Sequence, residues 1–198
     1  MTTPLLLSRS EEALKKWPFI TGIEEEYGLP AHMLLAVGFR ETGLRNISGD
    51  SGHGWGVWQR DNRSWNVGPS YLLSVRKQAE DAASLLVANK KSLGTWGGAL
   101  AAYNAGCGSV RRARANGLKD DTYTTSHNYG QAILGYISEL NAHYHTATPH
   151  AHTVVIVKAG DTLGGFAKKY KTTVKAIAQL NKLPNANVIH VGQHITIP

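Results

Sequence analysis

The sequence has one cysteine, no long apolar run and almost no acid in its last quarter. With Cys107 as the single cysteine of 198 residues, no disulfide can form within the chain, and the fold depends on its hydrophobic core. We interpret Cys107 as a small buried residue. No stretch approaches the roughly 18 apolar residues that a membrane span needs, so we expect no stable membrane association.

The N-terminal residues lack the features of a secretory signal. The apolar run covers only Leu5 to Leu7, and no basic segment precedes it. The sequence therefore predicts synthesis in the cytoplasm without a signal peptide. A substrate outside the membrane would be reached only after release of the protein by another agent.

Positive charge is concentrated at the C-terminal end. The chain carries 21 Lys and Arg against 14 Asp and Glu, a net charge of +7. Residues 153–198 hold six lysines and one acid, Asp161. A small basic module favours a polyanionic partner: nucleic acid, acidic lipid or an anionic cell wall. Nucleic acid is the weakest of these, because the module lacks arginine and interleaved surface aromatics.

The pattern of apolar residues divides the chain into two domains and predicts an α+β protein. Residues 1–142 predict a mainly α-helical domain, with helical spacing in the segments 11–27, 29–42, 71–91, 97–106 and 127–141. Residues 46–69 are rich in Gly, Ser, Asn and Trp and predict an extended loop or a small β-hairpin. Residues 143–152 contain Pro149 and no apolar period, which indicates a linker. Residues 153–198 predict a small β-α-α-β domain.

Glu41 is the first candidate for chemistry. On the predicted helix it shares a face with Leu34, Val37 and Gly38, in the last turn before Gly43. Desolvation and the negative end of the helix dipole should both raise the pKa of this carboxyl, so it could donate a proton to a glycosidic oxygen. The alternative is a surface glutamate that pairs with a neighbouring arginine.

Three motifs surround this glutamate in order along the chain. They are Glu41-Thr42-Gly43, a Gly-rich segment that ends in Gly56-Val57-Trp58-Gln59, and Ala102-Tyr103-Asn104-Ala105-Gly106. Together they resemble the goose-type lysozyme and lytic transglycosylase superfamily. The resemblance implies that Glu41 is the general acid and that Gln59, Tyr103, Asn104 and Tyr129 line the sugar cleft. We add Trp58 as a substrate contact, because aromatic rings stack on sugars; core packing is the alternative.

Asp50 and Asp61 bear on the mechanism. Goose-type lysozymes carry acidic residues in this hairpin and just after its glutamine, which implies that Asp50 and Asp61 position the attacking water. An inverting hydrolase needs a second carboxylate roughly 6.5–9.5 Å from the acid, and a hairpin facing the helix end could supply it. The alternatives are a turn-capping role for Asp50 and simple solvent exposure for Asp61.

Residues 153–198 resemble a LysM domain over nearly their whole length. The match includes Val157-Lys158-Ala159-Gly160-Asp161-Thr162-Leu163 near the start and Val191-Gly192-Gln193 near the end. The resemblance implies binding of N-acetylglucosamine-containing glycans such as peptidoglycan. Its groove would lie between two loops and includes Gly160, Asp161, Thr162, Leu163, Asn185 and Ile189.

The sequence thus predicts a muramidase of the endolysin type, with no cofactor and no metal. It would hydrolyse the β-1,4 bond between N-acetylmuramic acid and N-acetylglucosamine with inversion, and we expect a monomer. A lytic transglycosylase, a chitinase and a non-catalytic wall-binding protein remain as alternatives. The first differs in its 1,6-anhydromuramic product, the second in its substrate, and the third would lack the acid.

Overall fold

The computed structural model describes residues 4–146, 153–170 and 172–197. The chain forms two compact units, Met1–Ala142 and His143–Pro198. The first is mainly helical and the second is a small β-α-α-β unit, so the predicted α+β class is confirmed.

Six helices belong to the first part of the chain. They are α1 (Pro4–Lys16), α2 (Ile20–Tyr27), α3 (Met33–Thr42), α4 (Val75–Leu93), α5 (Trp96–Ala115) and α6 (Tyr129–Thr146). The prediction of one helix over 11–27 was wrong, since α1 and α2 are separate. Pro18 lies between them; proline restricts the residue before it and has no N–H for a helical hydrogen bond.

Two helices depart from their predicted ends. Helix α5 continues past residue 106, but Gly106 has φ 77° and ψ 152°, which interrupts the helical backbone there. Helix α6 runs to Thr146 and so includes the first four residues of the segment 143–152. The remainder of that predicted linker lies outside the described residues.

The segment that follows α3 and precedes α4 in the sequence forms a small antiparallel sheet. It contains β1 (Ser48–Gly49), β2 (Gly54–Trp55) and β3 (Arg60–Asp61), in that order. Strand β2 is central: Trp55 pairs with Ser48 on one side and Arg60 on the other, and Gly54 pairs with Gly49 and Asp61. This arrangement matches the extended loop or hairpin expected for residues 46–69.

The core of the first unit is built around α3, on which six consecutive residues are fully buried or nearly so. Helix α3 and other elements together contribute large apolar side chains to this core. Each of the following is at most 1% exposed: Leu6, Ile20, Ile23, Met33, Leu34, Leu35, Val57, Trp58, Leu86, Leu100, Ile133 and Leu140. Burial of this size holds α3 against its neighbours, which fixes the end of the helix that carries Glu41.

The second unit has the predicted element order. Strand β4 (Thr153–Ile156) pairs antiparallel with β5 (His194–Ile197), and the two helices α7 (Leu163–Lys169) and α8 (Val174–Leu180) lie between them in sequence. The hydroxyls of Thr162 and Thr173 accept backbone N–H groups at the starts of the two helices. The core contains Val157, Leu163, Phe166, Ala167, Ile177, Ala178, Ile195 and Ile197.

Within the described ranges, no helix has the length and apolar character needed to cross a membrane.

Candidate active site

Glu41 lies in the last turn of α3, where the helix ends in a left-handed glycine. Gly43 has φ 61°, and Leu44 N–H donates to the carbonyl of Gly38 at 3.1 Å, which closes the helix end. The Glu41 side chain is partly buried. Burial raises the pKa of its carboxyl, while a hydrogen bond from Tyr129 and the charge of Arg40 act in the opposite direction. A carboxyl that retains its proton in this way can serve as a general acid.

The opposite end of α3 is fixed by a buried glutamate. Glu24, 3% exposed, accepts the backbone N–H of His32 at 2.9 Å and that of Leu34 at 2.7 Å, one with each carboxylate oxygen. Burial raises the pKa of Glu24 to about 8, although both backbone hydrogen bonds lower it. His32 adopts φ 64°, a left-handed conformation that directs its N–H to the carboxylate. Helix α3 is therefore held at its start as well as at the end that carries Glu41.

Tyr129 contacts Glu41 directly. It is the first residue of α6, it is buried, and its hydroxyl donates a hydrogen bond to Oε1 of Glu41. The guanidinium of Arg40 lies 5.6 Å from the centre of the Tyr129 ring. Burial and the charge of Glu41 raise the pKa of Tyr129 well above its ordinary value, so the phenol acts as a neutral donor.

A second buried acid fixes the start of α6. Asp121 accepts the backbone N–H of Gly130 at 2.8 Å and that of Gln131 at 2.9 Å. The hydroxyl of Thr124 donates to the same carboxylate at 3.1 Å. These bonds satisfy N–H groups that the first turn of a helix leaves without partners. They also set the position of Tyr129 against Glu41.

Tyr103 lies on α5, in the Ala-Tyr-Asn-Ala-Gly motif. Burial, followed by the charge of Glu41, raises the pKa of Tyr103. Its hydroxyl donates to the carbonyl of Trp58 at 2.8 Å. Asn104 is exposed and accepts the backbone N–H of Thr125 at 2.8 Å, which ties α5 to the segment before α6.

Gln59 holds the small sheet together. Its amide donates to the carbonyl of Gly56 at 2.8 Å and to that of Ile47 at 3.2 Å. A Cβ added at Gly49 or at Gly54 would lie 2.2 Å from the Gln59 side-chain oxygen, so a side chain at either position would displace this amide. The glycines at positions 49 and 54 thus leave room for the side-chain amide of Gln59.

The interpretation of Trp58 as a substrate contact was wrong. The residue is 0% exposed, and its indole N–H donates to the carbonyl of Leu34 at 2.8 Å. The ring packs under Gly38, where an added Cβ would lie 3.2 Å from the indole nitrogen. A sugar cannot reach this ring, because the ring is fully buried and its indole N–H is bonded to the backbone of α3. Trp65, in contrast, is 46% exposed, and the guanidinium of Arg60 lies 3.7 Å from its ring centre.

Asp50 and Asp61 are brought together by a third residue, Arg63. Its Nη2 lies 3.0 Å from Asp50 Oδ2 and 2.6 Å from Asp61 Oδ2, and its Nε lies 2.9 Å from Asp61 Oδ1. The Arg63 side chain lowers the pKa of Asp61. Asp50 has φ 47° and begins a single 3-10 turn, so it also shapes the turn between β1 and β2. The Asp61 carboxylate therefore stays ionised in acid better than a free one would.

The second unit contains a groove of about 470 Å³. Of the predicted glycan-binding residues, Gly160, Asp161 and Thr162 line it. Leu163 is 3% exposed, so its side chain belongs to the core.

Two further predicted residues of this unit lie outside the groove lining. Ile189 packs partly buried against the same core, and Asn185 is exposed, where its side-chain oxygen accepts the backbone N–H of Asn187 at 2.9 Å. Within the described ranges, no group of three or more His, Cys, Asp and Glu could hold a metal ion.

Comparison with known proteins identifies this second unit. The family model described as LysM domain matches residues 155–198. This segment is a LysM domain. The family is associated with peptidoglycan binding.

Three curated relatives are enzymes of cell-wall breakdown by name, and their similarity lies mostly in the LysM region. A cortical fragment-lytic enzyme of Bacillus subtilis (strain 168) is 44% identical over 45 residues, 23% of this chain and 10% of the relative. A "Probable N-acetylmuramidase" of Lactococcus lactis subsp. lactis (strain IL1403) is 41% identical over 51 residues, 26% of this chain and 11% of the relative.

The third relative is an endolysin of Bacillus phage B103, which is 49% identical over 43 residues, 21% of this chain and 16% of the relative. The chain thus spans only 10% to 16% of the length of these three proteins.

Three functional residues were missed at the level of the sequence: Glu24, Arg63 and Asp121. For Glu24 a signal existed, because it shares the buried face of α2 with Ile20 and Ile23, as Glu41 does with the apolar residues of α3. Asp121 lies eight residues before the helix that it caps, and Arg63 bonds across a turn. A helical or strand period could not have indicated either contact, because such a period relates only residues of one element.

Proposed function

We propose that this protein is a muramidase that cleaves the β-1,4 bond between N-acetylmuramic acid and N-acetylglucosamine in peptidoglycan, with Glu41 as the general acid. The observation that carries the proposal is the environment of this carboxyl. It is partly buried at the end of a rigid helix, has a raised pKa, and is held by Tyr129. The named functions of the three relatives agree with it.

In this account, Glu41 protonates the glycosidic oxygen as the bond to the sugar breaks. A positioned acid of this kind contributes about 10² to 10⁴ in rate. Tyr129 keeps the carboxyl in one orientation through its hydrogen bond, and Tyr103 is a candidate for contact with the sugar. Asp50 and Asp61 are the candidates for holding the attacking water, and Arg63 fixes them.

The LysM domain serves to keep the enzyme on its substrate. Its sequence carries six lysines and one acid, and this charge adds attraction to an anionic wall to the glycan contacts of the groove. Attachment raises the local concentration of bonds that the first unit can reach. We propose on this basis that the chain acts as an endolysin on the cell wall.

A lytic transglycosylase is the second candidate, and one observation favours it. Asp50 and Asp61 are both engaged by Arg63 instead of standing free beside the acid. If neither carboxylate activates water, the muramic acid hydroxyl would close on its own anomeric carbon, and Glu41 would still be the acid.

Product analysis of digested sacculi tests the proposal. Purified sacculi are incubated with the full chain, and the released muropeptides are reduced with borohydride and examined by mass spectrometry. The muramidase predicts reducible N-acetylmuramic acid ends. Exclusively 1,6-anhydromuramic ends would establish the transglycosylase, and reducible N-acetylglucosamine ends would contradict both. Chitin incubated in parallel tests for a chitinase, which the proposal expects to be absent.

A further inference from the structure

The groove of the LysM domain lies on one edge of its sheet. Val155 and Ile156 both line it, although consecutive residues of a strand point to opposite faces of a sheet. No residue of β5 is among its lining residues. In the described part of this unit β4 pairs only with β5, so the groove runs along the other, unpaired edge of β4.

An unpaired strand edge offers backbone N–H and C=O groups to an extended chain. Peptides bind such edges by adding a strand, with main-chain hydrogen bonds for affinity and side-chain pockets for specificity. Ile156 on this strand is 56% exposed. Phe166 and Tyr170 supply an apolar wall of the groove. An extended peptide can pair with several successive backbone groups of the edge, whereas the acetamido and hydroxyl groups of a sugar reach only single ones.

The charge of the groove selects the kind of peptide. Lys158 and Lys169 are exposed and line it, and the Lys169 ammonium lies 5.1 Å from the centre of the Tyr170 ring. The one acid in the lining, Asp161, accepts the backbone N–H of Lys158 at 2.8 Å, so it is already engaged by the loop. Two lysine ammonium groups beside a strand edge suit an extended chain that carries carboxylates.

We propose that this groove binds the acidic stem peptide that peptidoglycan carries on its muramic acid residues. The inference rests on the proposed wall substrate and extends it, because the LysM domain would then recognise peptide as well as glycan. A phosphate polymer of the wall would match the lysines but would leave the strand edge and the apolar wall without partners.

Binding of soluble wall fragments to the full chain tests the inference. Three probes are titrated by calorimetry: a disaccharide with its stem peptide, the same disaccharide after amidase removal of the peptide, and a glycerol phosphate oligomer. We expect the peptide-bearing fragment to bind about fivefold more tightly than the peptide-free one, the size of a good exposed ion pair. In nuclear magnetic resonance spectra, only the peptide-bearing fragment should shift the amides of Val155 and Ile156.

Lys169→Gln should reduce that fivefold difference, whereas Lys168→Gln, a matched change at the neighbouring residue of α7 outside the groove lining, should retain it. Equal binding of both disaccharides, or a Lys169→Gln protein that retains the full difference, would overturn the inference. So would a glycerol phosphate oligomer that displaces the peptide-bearing fragment and shifts the same amides. The muramidase proposal stands if sacculi are still cleaved in any of these cases, and it fails separately if they are not.

Discussion

At the scale of single residues, the candidate site depends on how one carboxyl is kept protonated. Burial of Glu41 is the dominant cause, and the phenol of Tyr129 opposes it, since a donor to a carboxylate favours the ionised form. The resulting pKa is a compromise between the two effects. Tyr129 therefore affects the orientation of the acid and also the pH at which it loses its proton.

Replacing Tyr129 with phenylalanine should shift the alkaline limb of the activity profile upwards. The lost hydrogen bond favoured ionised Glu41, so its removal raises the pKa of Glu41 further. The pH dependence of sacculus clearance measures this, with Tyr123→Phe at an exposed tyrosine as control. An alkaline limb that stays in place or moves down would show that Tyr129 does not stabilise the ionised acid.

Arg63→Gln should move the acid limb of the same profile upwards, if Asp61 acts as the base. Arg63 lowers the pKa of Asp61, so in its absence that carboxylate takes up a proton at higher pH. The control is Arg76→Gln, which removes an exposed arginine paired with Glu80 at 3.5 Å. An unchanged acid limb would exclude Asp61 as the group that limits activity in acid, and would favour the transglycosylase.

At the scale of elements, two helices present the site and each begins on a buried acid. Glu24 holds the start of α3, and Asp121 holds the start of α6. Each carboxylate accepts two backbone N–H groups that would otherwise lie unpaired, and leaving such donors unsatisfied costs about 1–3 kcal/mol each. The contact between Glu41 and Tyr129 thus joins two elements whose positions are set independently.

Glu24 gives the free energy of unfolding a pH dependence. Its pKa rises from an ordinary 4.5 to about 8 on folding, so the folded protein retains a proton that the unfolded chain releases between these values. The contribution of Glu24 to the free energy of unfolding is fully present below about pH 4.5 and is lost as the pH rises to about 8. Urea unfolding across this range should show the decline in the wild type.

The Glu24→Gln protein should be less stable throughout, because one amide oxygen replaces two acceptors, but it should lose most of this decline. Glu12→Gln, at an exposed glutamate, should retain the wild-type slope. If the Glu24→Gln protein showed the same pH slope as the wild type, another group would be responsible for it.

The sequence predicted elements better than it predicted contacts. Helical spacing and the glycine at 43 placed the end of α3 correctly, because both are local signals. The sugar-stacking argument could not show whether Trp58 faced the cleft or the core, since a large aromatic ring suits either. The ion pairs of Arg63 depend on the turn at Asp50. This residue has a left-handed backbone conformation, which its residue type alone does not predict.

At the scale of the whole molecule, the chain combines a mainly helical unit with a basic LysM domain. Exposed charges act through solvent, so their attraction to an anionic wall is screened by salt. Binding of the full chain to sacculi should therefore weaken several-fold from low to high NaCl. A variant with Lys168, Lys175 and Lys182 changed to glutamine should bind more weakly at low salt and respond less to NaCl. Salt-independent binding would show that the lysines serve only solubility.

The central claim is that Glu41 supplies the proton, and a matched pair of assays on Glu41→Gln tests it most directly. Glutamine preserves the shape of the side chain and its acceptor for Tyr129 but cannot donate a carboxylic proton. Sacculus clearance should fall by at least about 10²-fold, while the amount of protein bound to the sacculi stays at the wild-type level. Clearance by Glu41→Gln at close to the wild-type rate would contradict the account.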